Sequence, residues 1–271
     1  MKKKPMKNPR KYGEPPFQVA VIHGGPGAGG EMVPVARHLS AYRGMLEPIQ
    51  TATSLEGQIE ELRTILEKHG NIPLTLIGFS WGAWLSFIVA AKHPGLIKKL
   101  ILVGSGPFEE KYVASLHQTR LSRLDEEESA EFESITKALG DVEVKDKDLL
   151  LSRLGVLASK TDCFDPIKDE REESDSAGSR GDIFQGVWRD AAELRRSGKL
   201  LELGKLIECP VVAIHGDYDP HPAEGVQKPL SAVLKSFRFF LLQNCGHKPW
   251  IEQQARERFY SILEKELGDI R

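Results

Sequence analysis

Short apolar runs alternate along the chain with stretches that have the hydrophobic spacing of a helix. Continuous apolar runs between turn residues are typical of strands buried on both faces. Such runs predict strands at residues 17–22, 43–49, 74–77, 100–103, 210–214 and 237–242. Helical patterns lie near residues 31–40, 54–69, 82–93 and 251–267. Strand and helix in alternation predict an α/β fold with a mostly parallel sheet of about six strands, flanked by helices.

The alternation stops near residue 105 and resumes near residue 206. The sequence between these points is charged and helix-forming, as in DEEESAEFESITKAL and GVWRDAAELRRSGKLLEL. We therefore predict an α/β core made of residues 1–105 and 206–271, with a helical insertion over residues 106–205. Within the insertion, the polar stretch 165–182 predicts a loop, which we expect to be mobile.

Composition and charge narrow the class of protein. The chain has 271 residues and a formal net charge of −2, so no global basic field indicates a nucleic-acid partner. No run approaches the roughly 18 apolar residues that cross a bilayer, and the basic N-terminus lacks the apolar part of a signal peptide. We expect a cytoplasmic protein with a small-molecule substrate; the sequence leaves its oligomeric state open. The three cysteines, Cys163, Cys209 and Cys245, predict free thiols.

A glycine-rich turn follows the first predicted strand. Residues 25–30, GPGAGG, fit G-x-G-x-x-G, and the acidic Glu47 lies roughly 20 residues further on, as in a dinucleotide-binding fold. However, Pro26 has no N–H to offer a phosphate, and Glu31 stands where a P-loop needs lysine. These residues favour a fixed turn, with Glu47 in a loop or at an edge, and no cofactor is predicted.

The segment GFSWG, residues 78–82, carries the strongest chemical signal. It fits G-x-S-x-G and lies between a predicted strand and a predicted helix, which is the context of a nucleophile elbow. The sharp turn lifts the Ser80 hydroxyl out of the backbone and leaves no space for side chains two residues before and after it. Ser80 also precedes a helix N-terminus, which favours nearby negative charge.

A serine hydroxyl needs a base, and the base needs an acid that orients it. The loop HGDYDPHP follows one predicted strand and supplies Asp217 and Asp219 as candidate acids. The loop NCGHKPW follows the last predicted strand and supplies His247 as the base. Loops at the carboxyl ends of parallel strands meet at one edge of the sheet, where such folds place their sites.

Together, HGGPG at 23–27, GFSWG at 78–82 and the order serine, acid, histidine resemble the α/β-hydrolase fold family. They are most similar to its proline-iminopeptidase-like branch, and residues 106–205 are similar to the helical cap of that family. The resemblance implies Ser80 as nucleophile, His247 as base and Asp219 as acid. It also implies an oxyanion hole made by the N–H groups of Gly25 and Trp81. The implied activity is hydrolysis of an ester, thioester or amide.

Alternatives remain for several residues. The pattern His215-x-Asp217-x-Asp219-x-His221 alternates metal-ligand types, but Gly216 and Pro220 interrupt a strand there, and serine-based acyl transfer needs no metal; none is predicted. Family peptidases bind a free α-amine with acids of the cap, for which Asp190 or Glu193 would be candidates. The rival in another class is a non-catalytic ligand-binding protein on the same fold.

Overall fold

The computed structural model describes residues 8–141, 143–167 and 180–268. In these residues, seven strands form one sheet in the order β1-β3-β2-β4-β5-β6-β7. Strands β2 to β7 are parallel, and β1 pairs antiparallel with β3. The strands are β1 (Arg10–Tyr12), β2 (Phe17–Ile22), β3 (Gly44–Glu47), β4 (Leu74–Phe79), β5 (Ile97–Val103), β6 (Val211–Gly216) and β7 (Phe237–Leu242).

Helices cover both faces of this sheet and fill the connection between β5 and β6. The described α-helices are α1 (Val33–Ser40), α2 (Leu55–His69), α3 (Trp81–Lys92), α4 (Val113–Leu121), α5 (Glu126–Gly140), α6 (Lys147–Asp162), α7 (Gly181–Arg196), α8 (Lys199–Glu202), α9 (Glu224–Val233) and α10 (Arg256–Leu267). The alternating strand–helix pattern and the mostly parallel sheet predicted from the sequence are confirmed. Within the described residues, the prediction missed only one strand, β1.

The sequence suggested that Glu47 lies in a loop or at an edge, but the structure places it in β3, where strand β1 covers it. Glu47 ends β3 and is fully buried. Arg10 and Tyr12 of β1 pair with β3, and the Tyr12 hydroxyl donates to Glu47 Oε2 at 2.7 Å. The guanidinium of Arg10 lies 3.5 Å from the same carboxylate. The buried charge is therefore compensated by the strand that the sequence did not reveal.

Alternating side chains of the parallel strands divide between two cores, as expected for a sheet covered on both faces. Ala20 and Ile22 of β2 pack on the side of α2 and α3, whereas Val19 and Val21 pack on the side of α1 and α10. Trp84 of α3 is buried in the first core. Both faces are thus closed, and only the strand ends remain available for a site.

Helices α4 to α8 occupy the stretch predicted as an insertion. They contain a small apolar cluster of their own, which includes Phe132, Leu139 and Leu157. Helix α7 also contributes to the large core beside α3, and its Trp188 stacks on Trp84 with ring centroids 5.9 Å apart. Because α7 belongs to both cores, the domain boundaries at 105 and 206 stay a prediction. The predicted loop 165–182 lies largely outside the described residues.

Candidate active site

Ser80 lies in the sharp turn between β4 and α3. Its φ of 52° is in the left-handed region, which non-glycine residues rarely adopt. A Cβ on Gly78 would collide with the carbonyl oxygen of Gly82, and one on Gly82 would collide with the carbonyl oxygens of Ile22 and His23. Small residues two before and two after Ser80 are therefore a steric requirement of this turn. A strained turn of this kind is typical of functional sites.

The two predicted oxyanion donors are the N–H groups of Trp81, which follows Ser80, and of Gly25, in the turn after β2. Trp81 is the first residue of α3, so its amide has no partner within the helix and lies at the positive end of the helix dipole. Gly25 has a φ of 36°, and its carbonyl accepts the Ala28 N–H at 2.9 Å. The bond fixes the turn, and Gly25 lines the same cavity as Ser80.

The side chains near these donors have structural roles. The Trp81 indole is buried and donates to Gln58 Oε1 at 3.0 Å and Gln50 Oε1 at 3.2 Å, so it does not line the cavity. His23 is also buried. Its Nδ1 donates to the Gly24 carbonyl at 2.8 Å, and its Nε2 accepts the Gln50 N–H at 3.2 Å. His23 thus joins the glycine-rich turn to the loop after β3.

The loops after β6 and β7 bring His247 and Asp219 together. Nδ1 of His247 donates to Oδ2 of Asp219 at 2.7 Å, and both residues are buried. Burial alone would raise the pKa of the Asp219 carboxyl, but the surrounding histidines, His247 first, hold that pKa well below its ordinary value. Asp219 is therefore a carboxylate at neutral pH, as an orienting acid must be.

Asp217, the competing candidate acid, lies elsewhere. Its side chain is exposed, and Oδ1 accepts the backbone N–H of Cys245 at 3.1 Å. This bond fastens the loop that carries His247 to the loop after β6 but does not reach the imidazole. The structure therefore brings Asp219, and not Asp217, to the predicted base.

Ser80 and His247 line one cavity of about 630 Å³, together with Gly25 and one face of α6. Among the described residues there is no hydrogen bond between Ser80 Oγ and the His247 ring. Catalytic hydrogen bonds are often long before substrate binds and close in the complex. The cavity therefore brings together the predicted nucleophile, the predicted base and one predicted oxyanion donor.

A buried ion pair at this cavity was not predicted from the sequence. Arg120 of α4 donates to both carboxylate oxygens of Asp162 at the end of α6, at 3.0 and 2.5 Å. The Asp162 carbonyl accepts the His247 N–H at 2.7 Å. Because Arg120 and Asp162 lie 42 residues apart, no local sequence pattern reveals the pair. The pair connects helices α4 and α6 to the loop that carries His247.

Asp162, His221 and His247 each offer a ligand atom, and these atoms lie within 4.8 Å of one another, as in a metal site. The carboxylate oxygens of Asp162 and one nitrogen of each imidazole are already engaged, however. Both Asp162 oxygens bind Arg120, and the Nδ1 atoms of His221 and His247 bind Asp219 at 2.8 and 2.7 Å. The rings of His221 and His247 are also stacked, so the lone pairs in their ring planes do not point toward one place. The guanidinium of Arg120 lies beside them. These residues fit a protein hydrogen-bond network better than a cation, and we assign no metal.

The acids proposed to bind an α-amine lie away from the cavity. Asp190 and Glu193 of α7 are on the exposed surface, where they pair with Arg189 and Arg196. Neither residue lines the cavity that contains Ser80. This placement gives no support to either candidate as the group that binds a substrate amine.

A comparison with protein families places the fold and these loops in context. The sequence model of the α/β-hydrolase fold family matches residues 26–253, and the chain belongs to this family. A search of curated proteins gives no match. No helix of the described residues has the length and apolar character needed to cross a membrane.

Solved structures with the same fold cover nearly the whole chain. VinJ has a TM-score of 0.66 at 17% identity, with 96% of this chain and 93% of VinJ covered. A thermophilic esterase from Thermogutta terrifontis has a TM-score of 0.65 at 16% identity, with 96% and 92% covered. A proline iminopeptidase from Mycobacterium smegmatis has a TM-score of 0.61 at 14% identity, with 96% and 93% covered. At these identities the likeness establishes the fold, and the branch of the family stays a prediction.

Proposed function

We propose that the protein is a serine hydrolase that cleaves an ester, thioester or amide of a small substrate through an acyl-enzyme. The observation that carries the proposal is the buried bond of 2.7 Å between His247 Nδ1 and Asp219 Oδ2, at a cavity that also contains Ser80 in a strained turn. An activated serine requires this combination of nucleophile, base and orienting acid.

In the proposed reaction, Ser80 Oγ attacks the substrate carbonyl while His247 Nε2 takes the hydroxyl proton. His247 then gives this proton to the leaving group as the bond to the carbonyl carbon breaks. The N–H groups of Gly25 and Trp81 bind the oxyanion of the tetrahedral intermediate. His247 then takes a proton from a water molecule, which attacks the acyl-enzyme. As the bond to Ser80 Oγ breaks, His247 returns this proton to Oγ, and the acid is released.

Asp219 contributes to this cycle through the base. Its carboxylate accepts the Nδ1 proton of His247 and so leaves the Nε2 lone pair directed toward the nucleophile. When His247 carries a second proton, the negative charge of Asp219 stabilises the imidazolium. Because the pKa of Asp219 lies well below its ordinary value, this charge is present throughout the pH range in which His247 acts as a base.

The alternative is a binding protein that uses the same cavity without chemistry. The two proposals differ in what happens to an activated ester such as p-nitrophenyl acetate. A hydrolase turns it over, and Ser80→Ala lowers kcat by about 10⁴-fold or more. Ser159→Ala is a matched control, since Ser159 lines the same cavity on a different helix. Turnover that is absent in the wild type would favour the binding protein, whereas turnover that survives Ser80→Ala would show that Ser80 is not the nucleophile.

A further inference from the structure

Asp219 has three histidines around its carboxylate, which are two more than a catalytic triad needs. Oδ2 accepts Nδ1–H of His247 at 2.7 Å. Oδ1 accepts two bonds from His221, one from the backbone N–H at 2.9 Å and one from ring Nδ1 at 2.8 Å. His215 Nε2 lies 3.5 Å from Oδ2 and donates to the His221 carbonyl at 2.7 Å.

The His221 ring is packed so that it can hold this position. It is buried and stacks on the His247 ring, with centroids 4.5 Å apart and planes 21° apart. The bond from His215 fixes its carbonyl, and the carboxylate fixes its N–H and its Nδ1. Oδ1 of the carboxylate therefore binds the His221 ring and Oδ2 binds the His247 ring, and these two rings are stacked on each other.

Resting on the proposed function, we propose that His221 is a positioning residue that fixes the plane of the Asp219 carboxylate and limits how strongly it draws a proton onto His247. A carboxylate that accepts two bonds at Oδ1 cannot rotate freely about its side-chain torsions, so Oδ2 stays on His247. The same two bonds withdraw negative charge from Asp219. His247 is then less readily protonated, and the base stays available at lower pH.

Several charged groups besides Asp219 face the two rings, and they bear on the pH dependence. Asp162 and Arg120 lie close to both rings but form a bidentate pair with each other. Lys248, which follows His247 in the chain, is paired with Glu31 at 2.8 Å. These pairs remain in place when only His221 is changed. Burial lowers the pKa of His221 to about 4, so this ring is a neutral donor at neutral pH.

Two substitutions at His221 separate positioning from packing. His221→Asn keeps an N–H donor close to the place of Nδ1, whereas His221→Leu keeps apolar bulk and loses the donor. With p-nitrophenyl acetate, we expect His221→Leu to lower kcat by about 10- to 100-fold, the effect typical of losing a hydrogen bond to a charged group, with KM little changed. We also expect the acidic limb of kcat/KM to move to higher pH by about half a unit or more.

His221→Asn is expected to restore most of kcat and the wild-type acidic limb. His38→Leu, at a surface histidine on α1, is expected to leave both unchanged. A His221→Leu variant with wild-type kcat and pH profile would overturn the proposal. So would a His221→Asn variant as impaired as His221→Leu, because that result indicates packing alone.

A measurement on the unmodified protein covers the case in which His221→Leu does not fold. Proton NMR near pH 7 is expected to show two low-field imidazole N–H signals, one from each histidine bonded to Asp219. Asp219→Asn should shift both. A single signal, or a second one insensitive to Asp219→Asn, would overturn the role of His221. This readout does not depend on turnover, so it separates failure of this proposal from failure of the hydrolase proposal.

Discussion

At the scale of single residues, Asp217 and Asp219 belong to one loop but have different roles because their side chains lie in different places. Asp219 is buried and holds the His247 ring, whereas Asp217 is exposed and holds a backbone N–H. We predict that Asp219→Asn lowers kcat/KM for p-nitrophenyl acetate by about 10⁴-fold, because an amide permits the wrong tautomer of the base. Asp217→Asn keeps an acceptor oxygen for Cys245 and is expected to cost less than about tenfold. Comparable losses, or the reverse order, would transfer the role of the acid to Asp217.

Part of this site could be predicted from the sequence because its signals are local. The glycines around Ser80 and the loops after two strands indicate a candidate nucleophile, a candidate base and two candidate acids. Asp217 and Asp219 follow the same strand, so the residues alone leave both open; the family resemblance favoured Asp219, and the fold places Asp219 beside His247. His221 was ambiguous because alternating histidine and aspartate also fits metal ligands, and only its bonds to Asp219 distinguish the two.

At the scale of secondary-structure elements, α6 forms one wall of the cavity that contains Ser80. Its residues Leu154, Gly155 and Ala158 line the cavity. Under the proposed function, an acyl chain bound to Ser80 lies against this helix, which limits its length. We therefore expect short acyl esters to be hydrolysed better than lipid aggregates.

We predict that activity with p-nitrophenyl esters falls steeply with acyl length and does not rise when the substrate forms emulsions. Gly155→Leu should further shorten the longest acyl chain that the protein hydrolyses. The leucine side chain would extend into open space at the cavity without displacing any backbone. Gly140→Leu is the matched control, since Gly140 also has open space but lies outside this cavity. Efficient hydrolysis of triglyceride emulsions, or equal chain-length profiles for both variants, would contradict a cavity in which α6 limits the length of the acyl chain.

The elements themselves were predictable where hydrophobic periodicity was strong. Strands β2 to β6 are largely buried on both faces, which makes their apolar patterns nearly continuous. The edge strand β7 is mostly apolar in sequence, although only its last residue, Leu242, is buried. Strand β1 has the sequence Arg-Lys-Tyr, so its pairing depends on β3 and Glu47 rather than on any pattern of its own. The position of α6 beside the cavity of Ser80 could not be predicted either, because it depends on tertiary packing.

At the scale of the whole molecule, buried histidines connect the site to stability. Burial lowers the pKa of His221 to about 4 and also lowers the pKa of His23. Both rings are neutral in the folded protein but bind protons in the unfolded chain below a pH of about 6.5. Because the unfolded state then binds more protons, the free energy of unfolding falls as the pH drops from about 6.5 toward 4.

Urea titrations at a series of pH values measure this effect, which is at most about 1.4 kcal/mol per pH unit for each histidine. Below a pH of about 4, protonation of Asp219 continues the loss, since its folded pKa is depressed and its contribution disappears as the pH falls through that value. His221→Asn is expected to give a shallower slope between pH 6.5 and 4. A wild-type stability that is flat or rises toward pH 4.5 would contradict the buried neutral state of these rings.

The most direct test of the central claim is the site at which a fluorophosphonate reacts, because this probe modifies only activated serines. Intact-mass and peptide measurements are expected to find one adduct per chain, on Ser80, that is absent in Ser80→Ala and forms far more slowly in His247→Ala. Ser159→Ala should react like the wild type. No adduct on the folded wild-type protein, or an adduct on another residue that persists in Ser80→Ala, would contradict the assignment of Ser80, His247 and Asp219 as a catalytic triad.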